Sequence, residues 1–143
     1  MPPECEFPKS NASNEEIAEI LKTTKVIAVV GLSPKPERPS YSVSAYMQDM
    51  GYKIIPVNPG QTEILDEKVY KSLLDIPGPV DMVNIFREPS AVPEIVDQAI
   101  QIKAKVVWMQ EGIVHNDAAA KAKAAGLKVV MNKCLYKEHA RLA

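Results

Sequence analysis

The residues best suited to chemistry fall in five short polar stretches, each directly after an apolar run. The first holds Gly31, Leu32, Ser33, Lys35, Arg38 and Ser40. Gly31 permits close approach of a ligand to the backbone, Ser33 offers a hydroxyl, and Arg38 offers a planar cation. Ser40 opens a helical pattern, and the first N–H groups of a helix have no internal partners and favour phosphate. These are the parts of an anion site, on a loop stiffened by Pro34, Pro36 and Pro39.

The other four stretches are more ambiguous taken singly. Asn58, followed by Pro59, can hold a base or sugar edge or simply cap a turn. Arg87, after Phe86, can grip a phosphate or pair with Glu88 or Glu111. Gln110, Glu111 and Gly112 form the fourth stretch, where Gly112 lets a backbone approach and Glu111 can organise the loop. Asn132, Lys133 and Cys134 form the last; a thiol at a helix start beside a lysine can act as a nucleophile, or can be a small buried hydrophobe. Glu111 has no partner acid for general acid/base work, and no C-x-x-C, H-E-x-x-H or acidic cluster marks a metal site. His115 stands alone, and His139 lies five positions past Cys134, off the face of a helix that starts there.

These stretches meet only if the runs before them are parallel strands. The β-branched runs at 26–30, 53–57, 81–86, 105–109 and 127–131 are predicted strands. Between them lie helical patterns. A short first helix is capped by Ser13 or Asn14, with Glu15 and Glu16 in its first turn. The helix over 40–50 carries Val43, Tyr46, Met47 and Met50 on its core face and is closed by Gly51. A third is capped by Ser90, with Pro93 tolerated in its first turn and Val92, Ile95, Val96, Ala99, Ile100 and Ile102 facing the core. An Ala-rich helix over 116–125 ends at Gly126, and a final one spans about 135–142. The fold class expected is α/β, a Rossmann-like doubly wound parallel sheet of about five strands with helices on both faces. Right-handed crossovers then place all five polar stretches on one rim. Residues 1–13 read as a loose arm and 14–143 as a single domain.

Composition narrows the function. The 143 residues can bury a core without disulfide or metal. With 17 Lys+Arg against 18 Asp+Glu, no basic field draws the chain to nucleic acid or an anionic membrane. No apolar run reaches the roughly 20 residues that span a bilayer, and the N-terminus lacks the pattern of a signal peptide. A cytoplasmic setting is expected, in which Cys5 and Cys134 remain thiols. The first loop has no glycine at 33 or 36, so the dinucleotide fingerprint G-x-G-x-x-G fails, and Asn58 stands where an NAD site carries an acid. Both points argue against NAD.

At these residues the chain resembles the small single-domain CoA-binding proteins with a Rossmann-like fold, relatives of the CoA-binding domain of the succinyl-CoA synthetase α subunit. The matching stretches are 29–40, 56–59, 83–87, 106–112 and 131–134, in register from about residue 20 to the end. The resemblance implies coenzyme A lying across the rim. Its pyrophosphate would lie near Gly31, Leu32 and Ser33 and the helix opening at Ser40, with Arg38 as a phosphate contact. Asn58 and Pro59 would border the adenosine. The pantetheine arm would pass Phe86, Arg87, Gln110 and Gly112 towards Asn132 and Cys134. Family members often carry a basic residue just after the Asn-Pro pair, able to contact the CoA 3′-phosphate; here Gly60 and Gln61 follow instead. The synthetase's phosphorylated histidine belongs to a second domain that this chain does not match, so ligase activity is not implied. The expected function is non-catalytic binding of CoA or an acyl-CoA, as sensor, carrier or accessory protein, with a protein partner or a homodimer as a further option. If Cys134 faces the ligand thiol, a mixed disulfide with CoA becomes chemically reasonable. The alternatives are an NAD(P)-dependent or Cys134-dependent acyl-transfer enzyme, and an interaction module with a vestigial pocket.

Overall fold

Strands and helices alternate along the chain, as the switching periodicity requires. The computed structural model describes residues 7–143, so Cys5 lies outside the described residues. In chain order come α1 (Asn14–Thr23), β1 (Val26–Val30), α2 (Pro39–Asp49) and β2 (Lys53–Val57). A small hairpin of β3 (Glu63–Ile64) and β4 (Glu67–Lys68) and a 3-10 turn at Leu73–Asp75 lead into β5 (Met82–Ile85). The rest is α3 (Val92–Gln101), β6 (Val106–Met109), α4 (Asn116–Ala124), β7 (Lys128–Val130) and α5 (Leu135–Leu142).

Five strands form one parallel sheet in the order β2-β1-β5-β6-β7. Side chains alternate across it, so each strand feeds two cores. Ile27, Val29, Met82, Trp108 and Val130 pack against α1, α2 and α5, while Ala28, Val30, Val83, Ile85 and Val107 pack against α3 and α4. Burial on both faces explains why the strands read as continuous apolar runs. This is the Rossmann-like α/β fold expected from the sequence. Among the described residues no helix is long and apolar enough to cross a membrane.

Local details follow the chemistry of the helix ends. Ser13 caps α1 through a capping box with Glu16. Two expectations are corrected. Ser90 does not cap α3: Pro89–Ala91 form a 3-10 turn, and α3 begins at Val92 from Ala91 with no side-chain cap, Pro93 lying in its first turn. Proline at the start of each segment supplies the fixed φ and removes a donor that would need a cap. In α2 the buried face is Ser40, Val43, Ser44 and Met47, whereas Met50 is 49% exposed because it lies just past the last helical turn. The expected loose arm is described only from Phe7 on, and there it is fastened. The Asn11 amide pairs with both backbone groups of Met131, at 2.8 and 3.0 Å, closing off the edge of the sheet just past β7.

At the opposite end of the strands, Asp81 staples the entry to β1. One carboxylate oxygen accepts from the Lys25 and Val26 N–H groups at 2.9 Å, and Lys105 Nζ lies 3.6 Å from the other. Burial alone raises the carboxyl's pKa, but these bonds outweigh it and hold it below its ordinary 3.8. The carboxylate therefore stabilises the fold above its unfolded pKa and loses that effect as pH falls through the lower folded value. Asp81→Ala should cost about 1.5–3 kcal/mol at neutral pH. In urea denaturation at about pH 7 and about pH 3 the gap from the parent should narrow at the lower pH; a gap independent of pH would show that the charge contributes nothing.

Candidate functional site

The five polar stretches lie at the carboxyl ends of β1, β2, β5, β6 and β7, on one rim of the sheet. The chain reverses its winding between β1 and β5, so the strand order has its switch point there, where open α/β sheets bind ligands. Gly31 marks the spot. Its φ is +87°, its N–H donates to the Val57 carbonyl at 3.0 Å, and a Cβ placed on it would lie 2.5 Å from the Phe86 carbonyl oxygen. Only glycine fits between the ends of β2 and β5 in that conformation.

The loop after Gly31 is fixed by its own polar groups. Ser33 N–H donates to Ser40 Oγ at 3.0 Å, and Lys35 N–H donates to Ser33 Oγ at 3.1 Å. Asn58 ties the neighbouring loop to it, donating to the Leu32 carbonyl at 3.0 Å while accepting from Gly60 N–H at 2.8 Å. Asn58 thus caps its turn and braces the first loop at once. The α2 helix starts with Arg38 as N-cap and Pro39 in its first turn, with no side chain capping its N–H groups. Arg38 is exposed, and among the described residues its guanidinium has no hydrogen-bond or ion-pair partner.

Three adjoining clefts run along this rim. One, of about 490 Å³, is lined by Gly31, Asn58, Pro59, Lys71, Arg87, Glu94 and Gln98. A shallower one, of about 290 Å³, is lined by Gly31, Ser33, Lys35, Arg38, Ser40 and Phe86. The third, of about 470 Å³, is lined by Phe86, Arg87, Gln110, Gly112, Ile113 and Cys134 among others. Gly31, Phe86 and Arg87 are each shared between two of them, so the clefts lie side by side as one tract of the rim.

Most residues singled out from the sequence line this tract, and several also hold its walls. Arg87 forms a two-pronged pair with Glu88, at 3.0 and 3.3 Å, and its guanidinium keeps the Glu88 carboxyl below the usual carboxylate range. Glu111 pairs with Lys137 instead. Gln110 is 4% exposed; its amide donates to Asn84 Oδ1 at 2.7 Å and its oxygen accepts from Leu135 N–H at 3.4 Å, joining β5, β6 and α5 under the floor. Asn132, at φ +57°, accepts from Gly112 N–H at 2.7 Å and lines none of the three clefts. The Leu32 side chain is fully buried in the core, which leaves only its backbone to the rim. Cys134 is the N-cap of α5 and 9% exposed, a small core side chain at the inner edge of its cleft. Both histidines are used elsewhere. His115 caps α4 through Nδ1, accepting from Ala118 N–H at 3.1 Å, and His139 Nδ1 lies 2.9 Å from the Tyr46 hydroxyl, where burial lowers its pKa.

Sequence reading missed the wall formed by Lys71, Glu94 and Gln98. The signal was non-local: Tyr70 pairs with Val57 as an isolated parallel bridge, which carries Lys71 to the end of β2. No periodicity within 69–72 announces that pairing.

Fold and rim together define a Rossmann-like α/β protein with a tract of clefts across its strand ends. A family model described as a CoA binding domain matches residues 25–140, and the chain belongs to that family. It is 45% identical over 130 residues to the uncharacterized protein YneT of Bacillus subtilis strain 168, covering 91% of this chain and 96% of that protein. A solved structure of a hypothetical protein from Pyrococcus horikoshii OT3 is 44% identical and superposes with a TM-score of 0.90 over 96% of each chain. The α subunit of ADP-forming acetate–CoA ligase I from Pyrococcus furiosus is 40% identical over 95 residues, which is 62% of this chain and 21% of that subunit. The chain thus spans about a fifth of the ligase subunit's length.

The geometry at Gly31 makes a stability prediction. Gly31→Ala forces a side chain into left-handed backbone against the Phe86 carbonyl, which should cost about 1–3 kcal/mol in backbone strain, with overpacking adding a similar amount. Chemical denaturation measures it; a loss under about 0.5 kcal/mol, the scale of an ordinary surface change, would mean that the strand ends separate freely.

Proposed function

We propose that this chain binds coenzyme A or an acyl-CoA across the strand-end rim, in the cytosol, and catalyses no reaction by itself. The observation that carries the reading is the adjacency of the three clefts, which share Gly31, Phe86 and Arg87 at the switch point, in a chain of the CoA-binding family. An extended ligand with a charged middle suits that tract. Its pyrophosphate would lie over Gly31 and Ser33, facing the start of α2 at Ser40, with the exposed Arg38 as a cationic contact. Asn58 and Pro59 would border the adenosine, and the pantetheine would pass Phe86, Arg87, Gln110 and Gly112 towards Cys134. The apolar side chains Val43, Phe86 and Ile113 suit the thin, largely uncharged arm.

The chemistry around Cys134 supports binding over acyl transfer. Of the two carboxylates in its cleft, Glu88 is paired with Arg87 and Glu111 with Lys137, and His139 is turned to Tyr46. A thiol needs a placed base to serve as a nucleophile in acyl transfer. A carrier, sensor or accessory role follows for the protein; the similarity to a segment of a ligase subunit is consistent with a module that presents CoA to other proteins.

Isothermal titration with CoA, and with NAD as control, tests this. Saturable binding of CoA without NAD is expected. Arg38→Ala should weaken it about ten- to a hundredfold, the loss of a charge-assisted phosphate contact. No binding and no thermal stabilisation by CoA would overturn the reading in favour of an interaction module.

A further inference from the structure

The cleft beside Asn58 contains three ionic side chains, Lys71, Arg87 and Glu94. Arg87 is already matched by Glu88. Lys71 is exposed, and among the described residues its ammonium has no hydrogen-bond or ion-pair partner. The residues on either side of it, in contrast, are held by hydrogen bonds. Tyr70 N–H donates to the Pro56 carbonyl at 3.0 Å and the Tyr70 carbonyl accepts from Asn58 N–H at 2.9 Å, extending the sheet past β2. On the other side Ser72 Oγ donates to Gln98 Oε1 of α3 at 3.4 Å. A long cationic side chain thus stands on a fixed base at the outer end of the tract, beside Asn58 and Pro59, while the chain directly after that pair, Gly60 and Gln61, carries no charge.

We infer that Lys71 reads a phosphate monoester on the ribose of the bound nucleotide, and so makes the site selective for CoA over its 3′-dephospho form. The inference rests on the CoA reading above and adds to it a residue and a specificity. Two anionic groups of the ligand then meet two separate cations. Arg38 takes the pyrophosphate at the start of α2, and Lys71 takes the ribose phosphate at the end of β2. Glu94, in the same cleft, sharpens the requirement, because its carboxylate disfavours an anion there unless Lys71 offsets it. Lysine suits this position, since a point charge on a flexible stem can follow a phosphate monoester at a solvent-exposed site without fixed two-pronged geometry.

Isothermal titration of CoA and 3′-dephospho-CoA against the parent protein, Lys71→Met and Lys71→Arg tests the inference, with thermal unfolding as a check on folding. The parent should prefer CoA by about ten- to a hundredfold, the range of a charge-assisted contact. Lys71→Met should bind both nucleotides alike, at the parent's affinity for the dephospho form, and Lys71→Arg should keep the preference. A parent that binds both equally, or a Lys71→Met that keeps the parent's preference, overturns the assignment of Lys71 while leaving CoA binding standing. A parent that binds neither overturns the CoA reading and this inference with it.

Discussion

The tract depends on one close approach, that of the end of β1 to the end of β5. With Gly31 N–H bonded to Val57 on one side and its Cα pressed against the Phe86 carbonyl on the other, three strand ends are drawn together where the winding of the sheet reverses. A side chain at Gly31 would separate them. Because it is absent, Arg87 can lie over the glycine, its Cδ 3.1 Å from where a Cβ would stand, so that one residue borders two clefts. The crevice follows from the topology, since α2 and α3 leave the sheet on opposite faces on either side of that junction.

Many of the polar groups on the rim are spent on holding the loops. Ser33, Ser40, Asn58, Gln110 and Asn132 bond mostly to backbone groups of their own or an adjoining segment. Prolines and these short bonds hold the loops in place. Arg38 and Lys71, two exposed cationic residues that line the tract, stand beside backbone held in this way. The buried floor is less completely satisfied. Among the described residues Asn84 Nδ2 and Ser44 Oγ have no partner, although Asn84 Oδ1 is engaged by Gln110. Such orphans cost stability that the two apolar layers of the sheet must offset.

The parts legible in the sequence were those with a local period or a local turn. The strand at Val26–Val30, the capped start of α1 and the Gly31 turn each carry their signature within a few residues. The parallel order followed from the same alternation, because strands separated by helices can close a sheet only through crossovers. Ser90 misled because a capping residue at the right place looks the same whether or not prolines have already supplied the helix start. Asn58 and Arg87 were ambiguous for a different reason. A turn cap and a sugar contact, or a salt bridge and a phosphate contact, use the same side chain, and only the position of its neighbours separates them.

By itself, then, the sequence determined the α/β class, the five strand-end loops and the identities of Gly31, Arg38 and Ser40 at the first of them, since each depends on residues adjacent in the chain. Tertiary structure alone decided that Glu111 pairs with Lys137, that Gln110 lies beneath the floor, that His139 turns to Tyr46 and that Lys71 stands beside Asn58. Each of those outcomes joins residues from different elements, or from the segment after β4 that adds to the edge of β2. Such contacts are set by the packing of whole elements, and a spacing along one chain does not encode the distance between two of them.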